Sequence, residues 1–216
     1  MRIYTAFSET HKIFLPWFNT IKDVETNVDP VYFVLEQQCP TGEFASEGWN
    51  AATAQKLEKI LGIFDDTTDT SDYFVFSDVD VQFFKPIYEL GKKALSNHDI
   101  VFQNDYYGAQ CTGFFYCKKN KNTKKLFQRA LETNHLHRDD QTSVQSVLRE
   151  FPEVKHALLP KEFFTYGMYY DHWHKQEHFF VPRNMVMHHA NWVMGVNNKI
   201  ELLKATRKNY EQQNFI

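Results

Sequence analysis

Residues 73–84 read Tyr-Phe-Val-Phe-Ser-Asp-Val-Asp-Val-Gln-Phe-Phe, and no other stretch constrains the fold of this chain as strongly. Tyr73 to Phe76 form an unbroken apolar run, aromatic and β-branched. A strand with one wet face alternates; this one does not, which predicts a strand covered on both faces, as in a parallel sheet. The run stops at Ser77 and delivers Asp78 and Asp80. Ligands of open α/β sheets bind beyond the carboxyl ends of the strands, so the two carboxylates stand where a site is expected. If the chain stays extended there, side chains two apart point the same way. Two such carboxylates repel each other and lose hydration. A divalent cation beside them offsets both effects, and hard oxygen ligands suit magnesium, manganese or calcium. The competing reading is a turn whose acids cap the strand and face water, because Asp-x-Asp is common by itself.

The chain has 216 residues, enough for one α/β domain or two small lobes sharing a core. Hydrophobic residues make up 43% of it, so a sizeable core is available. A net charge of −3 argues against a nucleic-acid binder that relies on a broad basic face. Cys39, Cys111 and Cys117 are an odd, sparse set without zinc spacing and read as reduced thiols. The beginning of the chain has no apolar signal core, and no stretch is long enough to span a bilayer. A soluble, cytoplasmic protein is the expectation.

Arg2 to Phe7 is a short strand, followed by a helical pattern through Ile13, Phe14, Trp17, Phe18 and Ile21 that Pro16 would kink or split. Thr5, Ala6 and Phe7 close that first strand, near a base or ribose if the unit binds a nucleotide; for each of them singly, plain core packing is the stronger reading. Val31 to Leu35 reads as a second buried strand, and Glu36 to Glu47 as a loop broken by Pro40 and Gly42. Trp49 to Leu61 is a helix whose inward stripe is Trp49, Thr53, Lys56 and Ile60, with Leu57 alongside. A lysine within that stripe must snorkel to the surface or meet a negative partner; the functional reading is a contact to a nucleotide phosphate or base. Asp65 to Asp72 is an acidic linker, and Pro86 opens a helix to about Ser96.

Ile100 to Gln103 is a further strand ending at Asn104 and Asp105, and Thr112 to Cys117 another, with Thr112 and Gly113 at its mouth. The glycine either admits a ligand close to the backbone or relieves crowding. Asn120 to Thr133 is amphipathic, and a helix carrying Val144, Val147, Leu148 and Phe151 starts near Asp140. Asp140 is an N-cap or first-turn acid on the simplest reading. Gln141 points inward and needs partners, for which a sugar hydroxyl would serve. Ala157 to Leu159 is a short strand, and residues 163–178 are an aromatic loop of a kind that suits carbohydrate or plain packing. His172 and His174 could look like metal ligands, but no acid or cysteine completes a set with them, and they read as surface residues. Phe179 to Met187 reads as a closing hairpin or edge pair, and Asn197 to Tyr210 as the last helix, with Ile200, Leu203 and Tyr210 inward and Lys199 in its first turn.

Four features in this order carry a resemblance: a first strand ending Thr5-Ala6-Phe7, a buried strand ending Asp78-Val79-Asp80, an Asp140-Gln141 helix start, and a late His189-Ala190-Asn191-Trp192 with Gly195 and Lys199. Together they resemble the nucleotide-diphospho-sugar transferases of the GT-A fold, over nearly the whole chain. The resemblance implies a Rossmann-like α/β domain over residues 1–216, with a mixed, mostly parallel central sheet flanked by helices. Residues 1–100 would be its nucleotide-binding half and 101–216 its donor-sugar and acceptor half. It implies a metal-dependent glycosyltransferase moving a sugar from a UDP-sugar to a glycan, of the retaining kind on family grounds alone. Asp78, Asp80 and His189 would hold the metal, Mn2+ or Mg2+; one imidazole beside carboxylates favours manganese. Thr5, Ala6, Phe7, Lys56, Val79, Gly195 and Lys199 would contact the nucleotide, Lys199 and Gly195 at its diphosphate. Asp105, Thr112, Gly113 and Asn191 would surround the donor sugar, with Asp140 and Gln141 at the reacting centre. A narrower similarity, to the N-terminal glycosyltransferase domain of large multidomain chlorella-virus proteins, implies UDP-rhamnose or UDP-glucose as donor and a chain that is one module of a longer protein.

Rival readings meet specific objections. A haloacid-dehalogenase-type phosphatase places its Asp-x-Asp after the first strand and follows it with a small residue and a threonine, where this chain has Val81 and Gln82. A sugar-1-phosphate nucleotidyltransferase needs a Gly-rich basic loop after the first strand, which Ser8-Glu9-Thr10-His11-Lys12 does not provide. A catalytically inactive sugar-binding or nucleotide-binding module stays open.

Overall fold

The computed structural model describes residues 2–170, 173–176 and 178–214, so His172 lies outside the described residues. Its strands are β1 Arg2–Phe7, β2 Asp29–Val34, β3 Tyr73–Asp78, β4 Val81–Phe83, β5 Ile100–Asn104, β6 Gln110–Lys118, β7 His156–Leu158, β8 Phe163–Thr165 and β9 Met187–His189. Its α-helices are α1 Leu15–Phe18, α2 Ile21–Val24, α3 Trp49–Phe64, α4 Tyr88–Ala94, α5 Lys121–Thr133, α6 Asp140–Leu148 and α7 Val196–Asn214.

A six-stranded sheet runs in the order β2-β1-β3-β6-β5-β7. β6 is antiparallel to both of its neighbours, and the remaining pairs are parallel. This is the mixed, mostly parallel sheet that the family resemblance implies. Phe74 and Phe76 of β3 point into one core with Leu57 and Ile60 of α3 and Leu126 and Phe127 of α5. Val75 points into the other, with Phe14, Phe18 and Leu203. Both faces of β3 are dry, which is why its sequence does not alternate.

A smaller sheet, β4-β9-β8, sits beyond the carboxyl end of β3. β4 pairs antiparallel with β9, and β8 parallel with it. Gln82 of β4 ties this sheet to α7: its amide nitrogen donates to the Leu203 carbonyl at 2.9 Å and lies 3.2 Å from His188 Nδ1. An amide nitrogen only donates, so His188 Nδ1 accepts and the ring is neutral. Burial, with His189 beside it, pulls the His188 pKa down to about 3.

The structure corrects several local expectations. β2 is an edge strand, half exposed and paired only to β1, rather than a buried one. Its apolar residues read as core because hydrophobicity cannot tell an edge from a centre. The helix expected over residues 13–21 is a 3-10 turn, Glu9–Phe14, and then α1 and α2, with Pro16 in the first turn of α1. Residues 179–187 form no hairpin: among the described residues only Met187 belongs to a strand. The Val186 carbonyl instead accepts from the Phe84 and Lys85 amides. Phe163–Thr165, expected as loop, is β8, formed because β9 offers it an edge. α6 ends at Leu148, before Phe151. α7 is longer than expected and buries Leu202, Leu203, Thr206 and Asn209. No helix among the described residues is long and apolar enough to cross a membrane.

Candidate active site

Asp78 ends β3 opposite Ala6 of β1, and the chain then turns into β4. β9 is drawn in beside that turn. Val81 pairs with His189, and the Ala190 amide donates to the Asp80 carbonyl at 2.9 Å. Strand pairing thus brings a histidine from late in the chain to the aspartates at its middle. His189 Nε2 lies 3.4 Å from Asp80 Oδ1 and 3.7 Å from Asp78 Oδ2. Ligand atoms of Asp78, Asp80 and His189 all fall within 4.8 Å of one another.

The imidazole is oriented from behind. Gln103 Nε2 donates to the Phe163 and Phe164 carbonyls, 3.2 Å each, which turns Gln103 Oε1 toward His189 Nδ1 at 3.1 Å. Gln103 Oε1 only accepts, so Nδ1 carries a proton and donates, and Nε2 is the atom left facing the two carboxylates, free to donate to them or, once deprotonated, to bind a metal. Two carboxylates and one such imidazole suit a hard-to-borderline divalent cation such as manganese or magnesium.

Gly113 gives this cluster its room. β6 runs against its neighbours, so its beginning lies at their carboxyl ends. A Cβ on Gly113 would come within 2.1 Å of His189 Cε1 and 2.9 Å of Asp78 Oδ2. Gly113→Ala must displace the histidine or the aspartate. If the cluster holds manganese and UDP, as the resemblance implies, that binding should fall at least ten-fold by calorimetry, with the circular-dichroism spectrum unchanged; wild-type affinity in this variant would refute the crowding argument.

Two lysines balance the acids. Lys199 Nζ meets Asp80 Oδ2 at 2.5 Å. Burial alone would raise the Asp80 carboxyl, but Lys199 and His189 overcome it and hold Asp80 well below the usual carboxylate range. Lys199 stands in the first turn of α7, its amide donating to the Gly195 carbonyl at 3.1 Å. Gly195 has φ +84°, a left-handed conformation that glycine adopts without strain. Lys56 does not snorkel. From the inward stripe of α3 its ammonium reaches Asp78 Oδ1 at 2.7 Å and Asp140 Oδ2 at 3.0 Å. Burial would lower the Lys56 pKa; Asp140 and Asp78 reverse that and raise it. Asp140 also accepts from Thr112 Oγ1 at 2.7 Å. Burial and the nearby Asp78 nonetheless raise its pKa. The N-cap of α6 is Asp139, which accepts from the Thr142 amide, so Asp140 is a first-turn acid turned inward.

Asp105 gathers a polar fringe. It accepts from Gln141 Nε2 at 3.2 Å, Asn191 Nδ2 at 3.3 Å and the Trp192 indole. The Asn191 side-chain oxygen is buried without a partner among the described residues.

These groups line one hollow of about 480 Å³, which collects Lys56, Asp78, Asp105, Thr112, Gly113, Asp140, Gln141, His189, Asn191, Gly195 and Lys199 in its walls. Thr5, Ala6, Phe7 and Val79 are buried beside it and do not line it, nor does Asp80, which stands behind Lys199 and His189. The hollow also has walls that the sequence did not mark, Glu43, Phe44 and Arg138, and two tryptophans it singled out without a site role, Trp49 and Trp192. The Arg138 guanidinium lies 4.5 Å from the centre of the Phe44 ring. No spacing marks these residues, because the loop at 36–48 and the turn before α6 meet only in three dimensions. His11 is a further neighbour; burial, then Lys199, lowers its pKa. Its position four residues after Phe7 was the available signal.

A six-stranded mixed sheet with carboxylates at the end of its central parallel strand and a late histidine returned to them defines a GT-A-type transferase. The chain belongs to the nucleotide-diphospho-sugar transferase family, whose sequence profile matches residues 40–203. No curated protein matches the chain by sequence. Its fold is similar to that of the galactosyltransferase LgtC, crystallised with donor and acceptor sugar analogs, at 12% identity over 88% of this chain and 86% of that one, with a TM-score of 0.57. It is also similar to a glycosyltransferase involved in glycosylation of the major capsid of PBCV-1, at 14% identity over 74% and 82% of the two chains, TM-score 0.54. The glycosyltransferase GlyE of Streptococcus pneumoniae TIGR4 shares the fold at 12% identity and TM-score 0.55; this chain, matched over 99% of its length, spans 64% of that one.

Proposed function

We propose that this glycosyltransferase is metal-dependent, taking a sugar from a UDP-sugar and passing it to a glycan acceptor with retention of anomeric configuration. The observation that carries the reading is the convergence of Asp78, Asp80 and His189 Nε2 beside Lys199, at the edge of one hollow. Asp78, Asp80 and His189 would hold manganese or magnesium, which when bound offsets the negative charge that grows on the departing diphosphate. Lys199 and the amino end of α7 at Gly195 would meet the same charge. The uridine would lie toward the carboxyl end of β1, by Thr5, Ala6 and Phe7, with the Val79 backbone near its ribose. Lys56 would reach the nucleotide only indirectly, through Asp78.

Transfer breaks the bond between the anomeric carbon and the β-phosphate oxygen, and the electron pair stays on UDP. An acceptor hydroxyl oxygen forms the new bond to that carbon. In the retaining route its proton passes to the leaving phosphate, so no protein base is required. The surroundings of Asp140 favour that route, since Lys56 and Thr112 already engage the carboxylate. Asp140 would then position Thr112 and Lys56 against the donor sugar, with Asp105, Gly113, Gln141 and Asn191 around it. The donor would be UDP-rhamnose or UDP-glucose.

UDP and manganese together should raise the melting temperature of the protein. At a ligand concentration of about 100 times Kd the stabilisation is about 2.7 kcal/mol, or roughly 5–11 °C for a domain of this size. Release of UDP from a panel of nucleotide sugars then identifies the donor. No rise with UDP and either metal, together with no release from any UDP-sugar, would sink the reading.

A further inference from the structure

A second hollow, of about 370 Å³, opens beside the first. Its walls come from the turn between β5 and β6 and from Met168 and Tyr169 after β8, and it shares Asp105 with the first hollow. The turn is unusual. Tyr107 adopts φ 52°, ψ 27°, a left-handed conformation that side chains other than glycine seldom take. It presents its ring to solvent, 90% exposed. Backbone bonds hold it there: the Asp105 amide donates to the Ala109 carbonyl at 2.9 Å, and the Gly108 amide to the Asp105 carbonyl at 3.1 Å. A strained residue held by its frame with its aromatic ring in water serves nothing in the core, and such features gather at ligand sites.

The rings form a continuous path from one hollow to the other. Trp192, whose indole donates to Asp105, lies 4.7 Å centre to centre from Tyr106, and Tyr106 lies 3.9 Å from Tyr107. Gly167 makes the path possible, since a Cβ there would come within 2.3 Å of the Trp192 indole nitrogen. Gly167 in turn sets Met168 and Tyr169 opposite the tyrosine turn. Tyr169 is 43% exposed. Aromatic faces with polar tips, one carboxylate and open access match a sugar ring, which has an apolar C–H face and a rim of hydroxyls.

We infer that this second hollow is the saccharide-binding subsite for the acceptor, with Tyr107 and Tyr169 as its walls and Asp105 as the partition from the donor hollow. The inference rests on the glycosyltransferase reading above and adds where and by what contacts the acceptor glycan is held. A sugar seated there would present a hydroxyl past Asp105 toward the donor.

The test is binding of methyl glycosides of glucose, galactose, mannose, rhamnose, fucose and xylose to the protein with UDP and manganese, read by saturation-transfer NMR and titration. At least one glycoside should bind the wild type. Tyr107→Ala should weaken that binding at least ten-fold, as should Tyr169→Ala, while Tyr107→Trp, which keeps an aromatic face, should restore most of it. Tyr107 is so exposed that its replacement leaves the melting temperature of the free protein unchanged. No binding by any glycoside, or binding indifferent to both alanine variants, would overturn the proposal. The donor reading is judged separately, by the UDP–manganese melting shift of the wild-type protein.

Discussion

Asp80→Asn should abolish the melting shift expected with UDP and manganese and slow the proposed UDP-sugar hydrolysis by about 10²–10³-fold, the range seen when one group that stabilises developing negative charge is removed. Asp80 is the acid of the cluster that touches both other functional groups, His189 at 3.4 Å and Lys199 at 2.5 Å. Asparagine keeps its shape and removes its charge. A neutral amide is a weak ligand for a hard cation, and its nitrogen, if turned toward Lys199, sets donor against donor. Asparagine loses the ion pairs that outweigh the burial of Asp80, but it is also spared that burial, so the free protein keeps its fold and its circular-dichroism spectrum. His189→Ala should reproduce the loss of metal-dependent binding by deleting the Nε2 ligand. Two variants that both retain the full wild-type shift would place the diphosphate elsewhere.

Lys56→Met should lower stability by about 3–5 kcal/mol, the usual result of removing one partner from a buried ion pair. For a domain of this size that is a fall of roughly 6–20 °C in Tm. The argument is that Lys56 neutralises two acids at once, Asp78 at 2.7 Å and Asp140 at 3.0 Å. With the ammonium gone, Asp140 stays buried facing Asp78, whose charge already raises its pKa. Methionine keeps the apolar stem that packs within α3, so the loss isolates the charge. Adding Asp140→Asn to Lys56→Met should recover at least half of the fall, because the repelling pair is then reduced to one carboxylate. A single-variant change of under about 2 °C would show that the lysine is not needed to hold the acids and is there for ligand alone.

Much of the fold was legible because the core dictates it locally. The aromatic run at Tyr73, the stripe of Thr53, Lys56, Leu57 and Ile60, and the breakers at Pro40 and Gly42 each carry their signal within a few residues. Lys56 was legible too, as a charge on an apolar stripe that had to find a negative partner; which acids met it was not. The edge position of β2, the strand at Phe163–Thr165 and the irregular chain before Met187 were not legible, because each depends on which strand lies alongside. Helix and turn patterns are local chemistry, whereas an edge is defined by a missing neighbour. His11, Phe44 and Arg138 escaped notice for the same reason: loops from separate parts of the chain approach one hollow.

By itself the amino-acid order determined that a dry strand would end in two closely spaced carboxylates and that the last helix would begin with a glycine and a lysine. Tertiary structure alone decided that His189 would return to those carboxylates, with its Nε2 turned toward them by Gln103. The physical reason is that strand pairing between β4 and β9 joins residues more than a hundred positions apart. Hydrogen bonds of that kind carry no mark in the local sequence of either partner.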